Sequence, residues 1–216
     1  MGAVNDLLVW IDCEMTGLDL TADALIEVAA LVTDADLNVL GSGVDVVVRP
    51  SDEALAQMGD FVREMHRKSG LLPLLEGGLT LPEAEELVLG YIREFVPEPR
   101  KVPLAGNTVG TARSFLARDM PALESHLHYR SVDVSSIKEL ARRWFPRAYY
   151  NTPDKTGNHR ALADIAESIE ELRYYREAIF VPPPGRPTQE LRAIAATHQA
   201  AVVNGLGAGE GDPASE

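Results

Sequence analysis

The order of apolar and helical segments constrains the fold of this chain more than any other feature of its sequence. Three apolar runs come first, at 7–14, 25–33 and 44–49, and the turn-forming residues between them predict an antiparallel meander. Helical and strand-like segments then alternate, with helices at 83–96, 109–118, 135–145 and 159–180 and strands at 102–105 and 131–134. This order predicts an α/β fold in which helices flank a mixed five-stranded central sheet.

The length and composition narrow the class of protein. A chain of 216 residues with 45% hydrophobic content can bury one sizeable core. Its single cysteine, Cys13, excludes an internal disulfide framework and is typical of a reducing compartment. No stretch approaches the roughly 20 apolar residues that span a bilayer, and the first residues do not resemble a signal peptide. The sequence therefore predicts a cytoplasmic protein that does not enter a membrane.

The distribution of charge bears on the kind of ligand. The net charge is −13, which argues against tight binding of long or duplex nucleic acid by bulk electrostatics. Residues 100–160 nevertheless carry 11 Lys and Arg against 5 Asp and Glu. Such a local basic zone suits a small anionic ligand, although its arginines could equally lie on a solvated helix face.

Two acids at the end of the first apolar run form the first candidate site. Asp12 and Glu14 are two residues apart, so on a strand both carboxylates point to one face and Cys13 to the other. Adjacent carboxylates repel each other, and a hard cation such as Mg²⁺ or Mn²⁺ relieves that repulsion. A strand that has simply reached solvent explains the same pattern. Leu18, in the turn that follows, is either ordinary loop packing or a wedge against a ligand.

A histidine and an aspartate near the start of the last long helix form the second candidate site. His159 and Asp164 are five residues apart, which is about 140° net around a helix, so they would not share one face. We therefore expect His159 in the entry loop, as a general base, and Asp164 in the first turns, as a metal ligand. Taken alone, such a histidine is more often a cap or a surface residue.

These segments together resemble the ribonuclease-H-like exonucleases, whose three motifs carry Asp-Glu-Asp-Asp and a histidine. Four stretches are similar to the oligoribonuclease family: WIDCEMTGLD, AGNTVG, HYRSVDVSSIKELARRW and HRALADIAESIEELRYYRE. The resemblance covers residues 6–182 and implies one exonuclease domain there. Residues 183–216 are then a C-terminal extension, with a short helix at about 189–202 and disorder from about 205.

The resemblance implies a function and a set of site residues. The family removes nucleotides from the 3′ end of very short RNA, down to dinucleotides such as pGpG, as a homodimer with two divalent cations, Mg²⁺ or Mn²⁺. The residues that match its catalytic and metal-binding positions are Asp12, Glu14, Tyr129, His159 and Asp164. The residues that match its substrate-binding positions are Leu18 and Phe61 around the bases, His66 near the substrate, and Thr108, Arg130, Ser135 and Lys138 around the 5′ phosphate.

One position departs from the family pattern. Ala112 stands where the second motif has a metal-binding aspartate, and Asp119 lies about 10.5 Å further along the predicted helix. No sequence argument places Asp133 at the site either. The sequence therefore predicts an incomplete metal cluster and a chain that binds short RNA but cleaves it slowly. A dinucleotide-binding pseudoenzyme and a DNA proofreading exonuclease remain the alternatives.

Overall fold

The computed structural model describes residues 6–154 and 159–207. Its sheet consists of five strands, listed here in chain order: β1 (Leu8–Met15), β2 (Leu25–Thr33), β3 (Val39–Val47), β4 (Pro103–Gly106) and β5 (His128–Asp133). Their order across the sheet is β3-β2-β1-β4-β5. The first three strands pair antiparallel, whereas β4 pairs parallel with both β1 and β5. The predicted mixed sheet with an antiparallel meander is confirmed.

Helices cover both faces of the sheet. Within the described residues they are α1 (Asp52–Gln57), α2 (Asp60–Lys68), α3 (Leu81–Phe95), α4 (Val109–Asp119), α5 (Pro121–His126), α6 (Val134–Trp144), α7 (Pro146–Tyr149), α8 (Ala161–Ala178) and α9 (Thr188–Gly207). A 3₁₀ turn lies between α2 and α3. The predicted α/β class, with helices on both sides of the sheet, is therefore also confirmed.

Two core clusters lie on opposite faces of the sheet. The larger cluster packs α3, α4 and α5 against Ile11 and Cys13 of β1. The smaller cluster packs α6 and α8 against Trp10, whose indole N–H donates to the Thr33 hydroxyl at 3.0 Å. Alternation along β1 therefore sends neighbouring residues to different clusters, and this places Asp12 and Glu14 on the face that carries α8.

The third strand corrects the sequence prediction. Gly41 and Gly43 were expected in a turn that precedes a strand at 44–49, but both lie inside β3 at φ angles of +74° and +79°. The pairing of β2 with β3 shifts register between Ala30 and Val32. Glycines with positive φ permit such an irregularity within a continuous strand. Gly41 and Gly43 therefore interrupt the regular pairing of β3 without ending the strand.

The helices around residues 52–68 were not predicted, because they are short and mostly polar. Ser51 caps α1 by accepting from the Ala54 backbone N–H at 3.2 Å. The last long helix also differs from expectation, since α8 begins at Ala161 rather than at residue 159. His159 has a φ of +48°, which lies outside the helical range and leaves it in the entry loop.

The described residues divide into two compact units, with the boundary between Ile179 and Phe180. Helix α9 occupies much of the second unit and is longer than the helix predicted there, while the end of the expected disordered tail lies outside the described residues. The predicted domain boundary at residue 182 stays a prediction. Among the described helices, none combines the length and the apolar character that crossing a membrane requires.

Candidate active site

Three of the predicted site residues come together at the end of β1. One ligand atom each from Glu14, His159 and Asp164 lie within 4.8 Å of one another. Glu14 is buried on β1, Asp164 is half-buried in the first turn of α8, and His159 is exposed in the loop before that helix. Glu14 is far in sequence from His159 and Asp164, and the packing of α8 on the sheet brings the three residues together. The expected division between a loop histidine and a helical aspartate is what the structure shows.

Asp12 lies two residues before Glu14 on the same face of β1, half-buried. It is not part of the three-residue group, yet after burial its charge is the largest influence that raises the pKa of Glu14. Cys13 points to the opposite face, where burial raises the pKa of its thiol. The predicted alternation along this strand is therefore correct.

Crowding of carboxylates dominates the electrostatics of this site. The pKa of Glu14 is raised to about 8, first by burial and then by the charges of Asp12, Asp164 and Glu27, while Arg160 lowers it. Carboxylate oxygens and an imidazole nitrogen within 4.8 Å form a donor set that suits a divalent cation. A cation would also relieve the repulsion between the acids, so the residues present fit a divalent metal centre.

This raised pKa leads to a prediction for the metal-free protein. Because folding raises the pKa of Glu14 from 4.5 to about 8, its stabilising contribution is present below pH 4.5 and is lost as the pH rises through 8. Glu14→Gln should therefore match the parent chain at pH 4.5 and exceed its unfolding midpoint by a few °C at pH 8.5. Thermal unfolding in chelator across this pH range measures the difference. The exposed substitution Glu94→Gln is the control, and parallel midpoints for Glu14→Gln and the parent chain would contradict the prediction.

His66 lies beneath the acids rather than in the open site. Its side chain is fully buried, and its Nε2 atom is 2.9 Å from the Met15 carbonyl oxygen. Its Nδ1 atom is 4.0 Å from Glu14 Oε2 and has no hydrogen-bond partner among the described residues. Burial lowers the pKa of His66, and the nearby His159 lowers it further. His66 thus supports the end of β1 from below.

Leu18 and Phe61 are large apolar side chains that the structure leaves in solvent. Leu18 is 75% exposed, in the loop that follows β1, and Phe61 is 83% exposed. Phe61 and His159 line one cleft of about 730 Å³. An exposed aromatic side chain in a charged cleft is typical of a ligand-binding surface.

The loop that carries Leu18 is firmly held. The Thr16 hydroxyl donates to Asp23 Oδ1 at 2.9 Å, and the Asp19 backbone N–H donates to Asp23 Oδ2 at 2.9 Å. Arg118 reaches across from α4 and donates to the carbonyl oxygens of Leu20 and Asp23. Leu18 is therefore exposed on a loop held by several hydrogen bonds, and its role as a wedge against a ligand stays a prediction.

The predicted phosphate-binding residues are partly assembled. The Thr108 backbone N–H donates to the Ser135 hydroxyl at 3.0 Å, and that hydroxyl donates to the Asn107 side-chain oxygen at 3.0 Å. Lys138 forms an ion pair of 3.0 Å with the buried Glu171 on α8. Thr108 has a φ of +51°, which turns its backbone into the start of α4.

Arg130 and Tyr129 are adjacent on β5. Both are exposed on the edge strand β5, with the Arg130 guanidinium 5.6 Å from the centre of the Tyr129 ring. Arg113 supports this strand from α4 by donating to the carbonyl oxygens of His128 at 2.9 Å and Tyr129 at 3.3 Å. The structure therefore joins Thr108 to Ser135 by hydrogen bonds and exposes Tyr129 and Arg130 on β5, the strand that precedes α6.

Ala112 lies on α4 and is 7% exposed, in the larger core cluster together with Cys13. The two acids considered as substitutes are engaged in other contacts. Asp119 pairs with Arg118 at 2.6 Å, and Asp133 caps α6 by accepting from the Ser135 backbone N–H at 3.2 Å. Within the part of the chain that the structure describes, neither belongs to the group of Glu14, His159 and Asp164.

The sequence analysis did not identify the polar side chains that connect the other elements of the site to α8. The Asn107 side-chain amide donates to the Ser168 hydroxyl at 2.7 Å, which links the start of α4 to α8. Glu27 is fully buried on β2 and contacts the start of α8. A single acid inside the apolar run at 25–33 was the available signal for Glu27, because a buried carboxylate requires a partner.

The chain matches a family model described as exonuclease (RNase_T) over residues 9–172. It is 68% identical over 195 residues to the oligoribonuclease of Streptomyces coelicolor, covering 90% of this chain and 98% of that protein. It is 65% identical over 193 residues to the oligoribonuclease of Cutibacterium acnes, covering 89% of this chain and 96% of that protein.

Solved structures resemble this chain in fold. Exonuclease I from Methylocaldum szegediense has a TM-score of 0.55 at 22% identity, over 80% of this chain and 41% of that one. Escherichia coli exonuclease I in complex with a dT13 oligonucleotide has a TM-score of 0.60 at 17% identity, over 80% of this chain and 41% of that one. The chain thus spans about two fifths of these exonuclease I chains, and the likeness shows a shared fold.

Proposed function

We propose that this chain, which belongs to the oligoribonucleases of the exonuclease family, acts at the 3′ end of very short RNA. Its preferred substrates would be dinucleotides such as pGpG. The observation that carries this proposal is the group of Glu14, His159 and Asp164 together with the cleft that His159 shares with the exposed Phe61. A metal-binding group next to an exposed aromatic ring suits a single-stranded nucleotide, because every base has a face that can stack.

The chemistry is hydrolysis of the last phosphodiester bond. Asp12, Glu14 and Asp164 would hold divalent cations, Mg²⁺ or Mn²⁺, which stabilise negative charge on the attacking and leaving oxygens when bound. His159 is exposed in the entry loop, where it can accept a proton from the attacking water. The oxygen of that water forms the new bond to phosphorus, and the bond from phosphorus to the 3′ oxygen breaks. That oxygen takes up a proton, and a nucleoside 5′-monophosphate leaves.

The identity of the bases should contribute little to substrate binding at this site. Leu18 and Phe61 offer an apolar edge and a π-face, neither of which reads a hydrogen-bonding pattern. His66, which the resemblance places near the substrate, acts through the end of β1, since its ring is fully buried against Met15 and Glu14. We therefore propose that the site accepts any base.

Selection for length would come from the opposite end of the substrate. Thr108, Ser135 and Lys138 lie around the start of α6, where hydroxyl and ammonium groups can bind a 5′ phosphate. A terminal phosphate bound there leaves no path for a further nucleotide. The local basic zone on an acidic protein suits such a small anion and disfavours a long polyanion.

This cap gives the experiment that tests the proposed substrate. The chain should bind a 5′-phosphorylated dinucleotide at least about tenfold more tightly than the 5′-hydroxyl form or a 20-mer, because only the first offers a charge-assisted contact to the cap. Ser135→Ala should remove most of that preference. Ser114→Ala, whose hydroxyl bonds only within its own helix to Gly110, is the control. Equal affinity for the 2-mer and the 20-mer would favour a proofreading-type exonuclease instead.

We propose that the protein is a homodimer. The edge strand β5 and helices α6 and α7 expose Tyr129, Trp144, Phe145 and Tyr150, and Trp144 is 65% exposed. Several exposed large apolar side chains on a sheet edge and the helices that follow it are typical of a protein interface. Tyr129 and Arg130 would then reach the cap of the partner subunit.

The dimer proposal predicts the effect of one substitution. Trp144→Glu should place a charge in the interface and produce a monomer, with a loss of dinucleotide affinity because Arg130 can no longer reach the partner subunit's cap. Sedimentation velocity and a binding titration measure both effects. Leu87→Glu, an equally conspicuous exposed residue on α3, should remain dimeric. If Trp144→Glu sediments as the parent chain does, the interface lies elsewhere.

We also propose that this chain cleaves its substrate slowly. Ala112 offers no ligand, and Asp119 and Asp133 are engaged by Arg118 and by the start of α6. A site that lacks one carboxylate holds two cations less well, which lowers turnover more than it lowers substrate binding. The second candidate function, a dinucleotide-binding protein that does not cleave, rests on the same observation.

A further inference from the structure

A buried acid that the proposed chemistry does not use lies beside the active site. Glu27 is on β2, fully buried, and pairs in register with Glu14 of β1. Its neighbours in the strand, Ile26 and Val28, are also fully buried. A carboxylate in such surroundings is costly unless both oxygens have partners of opposite charge or strong donors.

Both oxygens of Glu27 have such partners at the start of α8. The Arg160 Nε atom donates to Glu27 Oε1 at 2.8 Å, and the Ala161 backbone N–H donates to Oε2 at 2.9 Å. Ala161 is the first residue of the helix, where backbone N–H groups lack partners within the helix and the dipole favours a negative charge. Arg160 is the N-cap residue of α8, and its side chain accepts no hydrogen bond from the backbone N–H groups of the first turn. Glu27 therefore caps α8 from a different element of the fold.

The same contacts determine where two active-site residues lie. His159 directly precedes Arg160, and the Asp164 backbone N–H donates to the Arg160 carbonyl oxygen at 3.0 Å. The φ of +48° at His159 turns the chain away from the helix, so the position of the imidazole depends on where the helix begins. The Arg160 guanidinium also lies 3.7 Å from the Asp45 carboxylate on β3, so the start of α8 contacts a second strand.

We propose that Glu27 and Arg160 are positioning residues for the active site: their contact anchors the start of α8 to β2 and so holds His159 and Asp164 against Glu14. This inference rests on the proposed function, because it assigns the anchor to the same site. The anchor acts through His159 and Asp164. Because Arg160 also lines the cleft with Phe61 and His159, kcat and KM are measured separately below, so that positioning is distinguished from substrate binding.

The test compares Arg160→Gln with Arg160→Lys and with a matched control. Arg176→Gln is the control, since Arg176 lies on the same helix and pairs with Asp36 at 2.9 Å, far along the helix from His159. The double variant Glu27→Gln with Arg160→Gln removes both charges, so that no uncompensated buried carboxylate remains if the single variant folds poorly.

The first measurement needs no turnover and uses the chain with Ala112. Amide hydrogen exchange at Ala161 should accelerate by about tenfold or more in Arg160→Gln and in the double variant, and the imidazole signals of His159 should shift. Arg176→Gln should leave both unchanged, and Arg160→Lys should restore most of the protection. Unchanged exchange at Ala161 in Arg160→Gln would overturn the anchor, whatever the protein's activity.

The second measurement uses Ala112→Asp as the background. There Arg160→Gln should lower kcat for a dinucleotide by about tenfold or more while KM stays within about twofold, because the reacting groups move but the base and phosphate contacts remain. Faster exchange with an unchanged kcat would overturn the positioning role. If Ala112→Asp shows no turnover at all, the proposed function fails, and the exchange and imidazole measurements alone then decide whether the anchor exists.

Discussion

Replacing Ala112 with aspartate is expected to raise dinucleotide turnover in Mn²⁺ by about 100-fold or more, because the missing carboxylate would complete the cation site that stabilises the attacking and leaving oxygens. Ala112 is buried on α4, in the core cluster that contains Cys13. The expectation therefore rests on the match of this position to the metal-binding aspartate of the family's second motif. Release of nucleoside monophosphate from a 5′-phosphorylated dinucleotide under single-turnover conditions is the measurement.

Ala112→Asn separates charge from shape in this experiment. The amide has nearly the size of the carboxylate but holds a cation poorly, so turnover should stay close to that of the parent chain. Without metal, Ala112→Asp should unfold at a lower temperature than the parent, since it adds a buried charge to an apolar core cluster, and Mn²⁺ should reverse the loss. A turnover in Ala112→Asp that equals that of the parent chain would contradict slow cleavage through a missing ligand and favour the binding protein.

The second large effect concerns the proposed general base. In the Ala112→Asp background, His159→Asn should lower kcat by roughly 10²- to 10⁴-fold with little change in KM, because an amide cannot accept the proton of the attacking water. His159 is exposed in the entry loop and packs little, so the folded state should lose little stability. Rates measured across a range of substrate concentrations separate the two parameters.

His198→Asn is the matched control, since His198 is exposed on α9 in the second unit of the chain. It should leave both parameters unchanged. A loss of only a few fold in His159→Asn would mean that another group accepts the proton. A large rise in KM with unchanged kcat would instead make His159 a substrate-binding residue.

Several features of the fold could be predicted because they depend on local pattern. The period-2 alternation along β1 sends Asp12 and Glu14 to one face and Cys13 to the other, as expected. The Pro82 and Glu83 pair marked the start of α3, and Thr80 completes a capping box there with Glu83. Helices α1 and α2 gave no comparable signal, because short polar helices depend on their packing against the 3₁₀ turn and β2.

The candidate site could be predicted in its chemistry but not in its geometry. The sequence identified four candidate residues by their type and spacing: Asp12, Glu14, His159 and Asp164. It also showed that Ala112 occupies the position of an aspartate in the family's second motif. The burial of His66 beneath Glu14 could not be read from the sequence, since it depends on how α2 packs against the end of β1. The same is true of Arg118, which holds the Leu18 loop from nearly 100 residues away.

The sequence by itself determined the order of the five strands and of the long helices α3, α4, α6 and α8, the side of the sheet that each acid of β1 faces, and the absence of a carboxylate at position 112. These properties follow from spacing along one strand or helix, where geometry repeats with a known period. Only the tertiary structure decided that Glu14, His159 and Asp164 meet, and that Glu27 and Arg160 anchor the helix that brings them together. Contacts between distant segments arise from packing and from the need to pair buried charge, and a local pattern does not encode them.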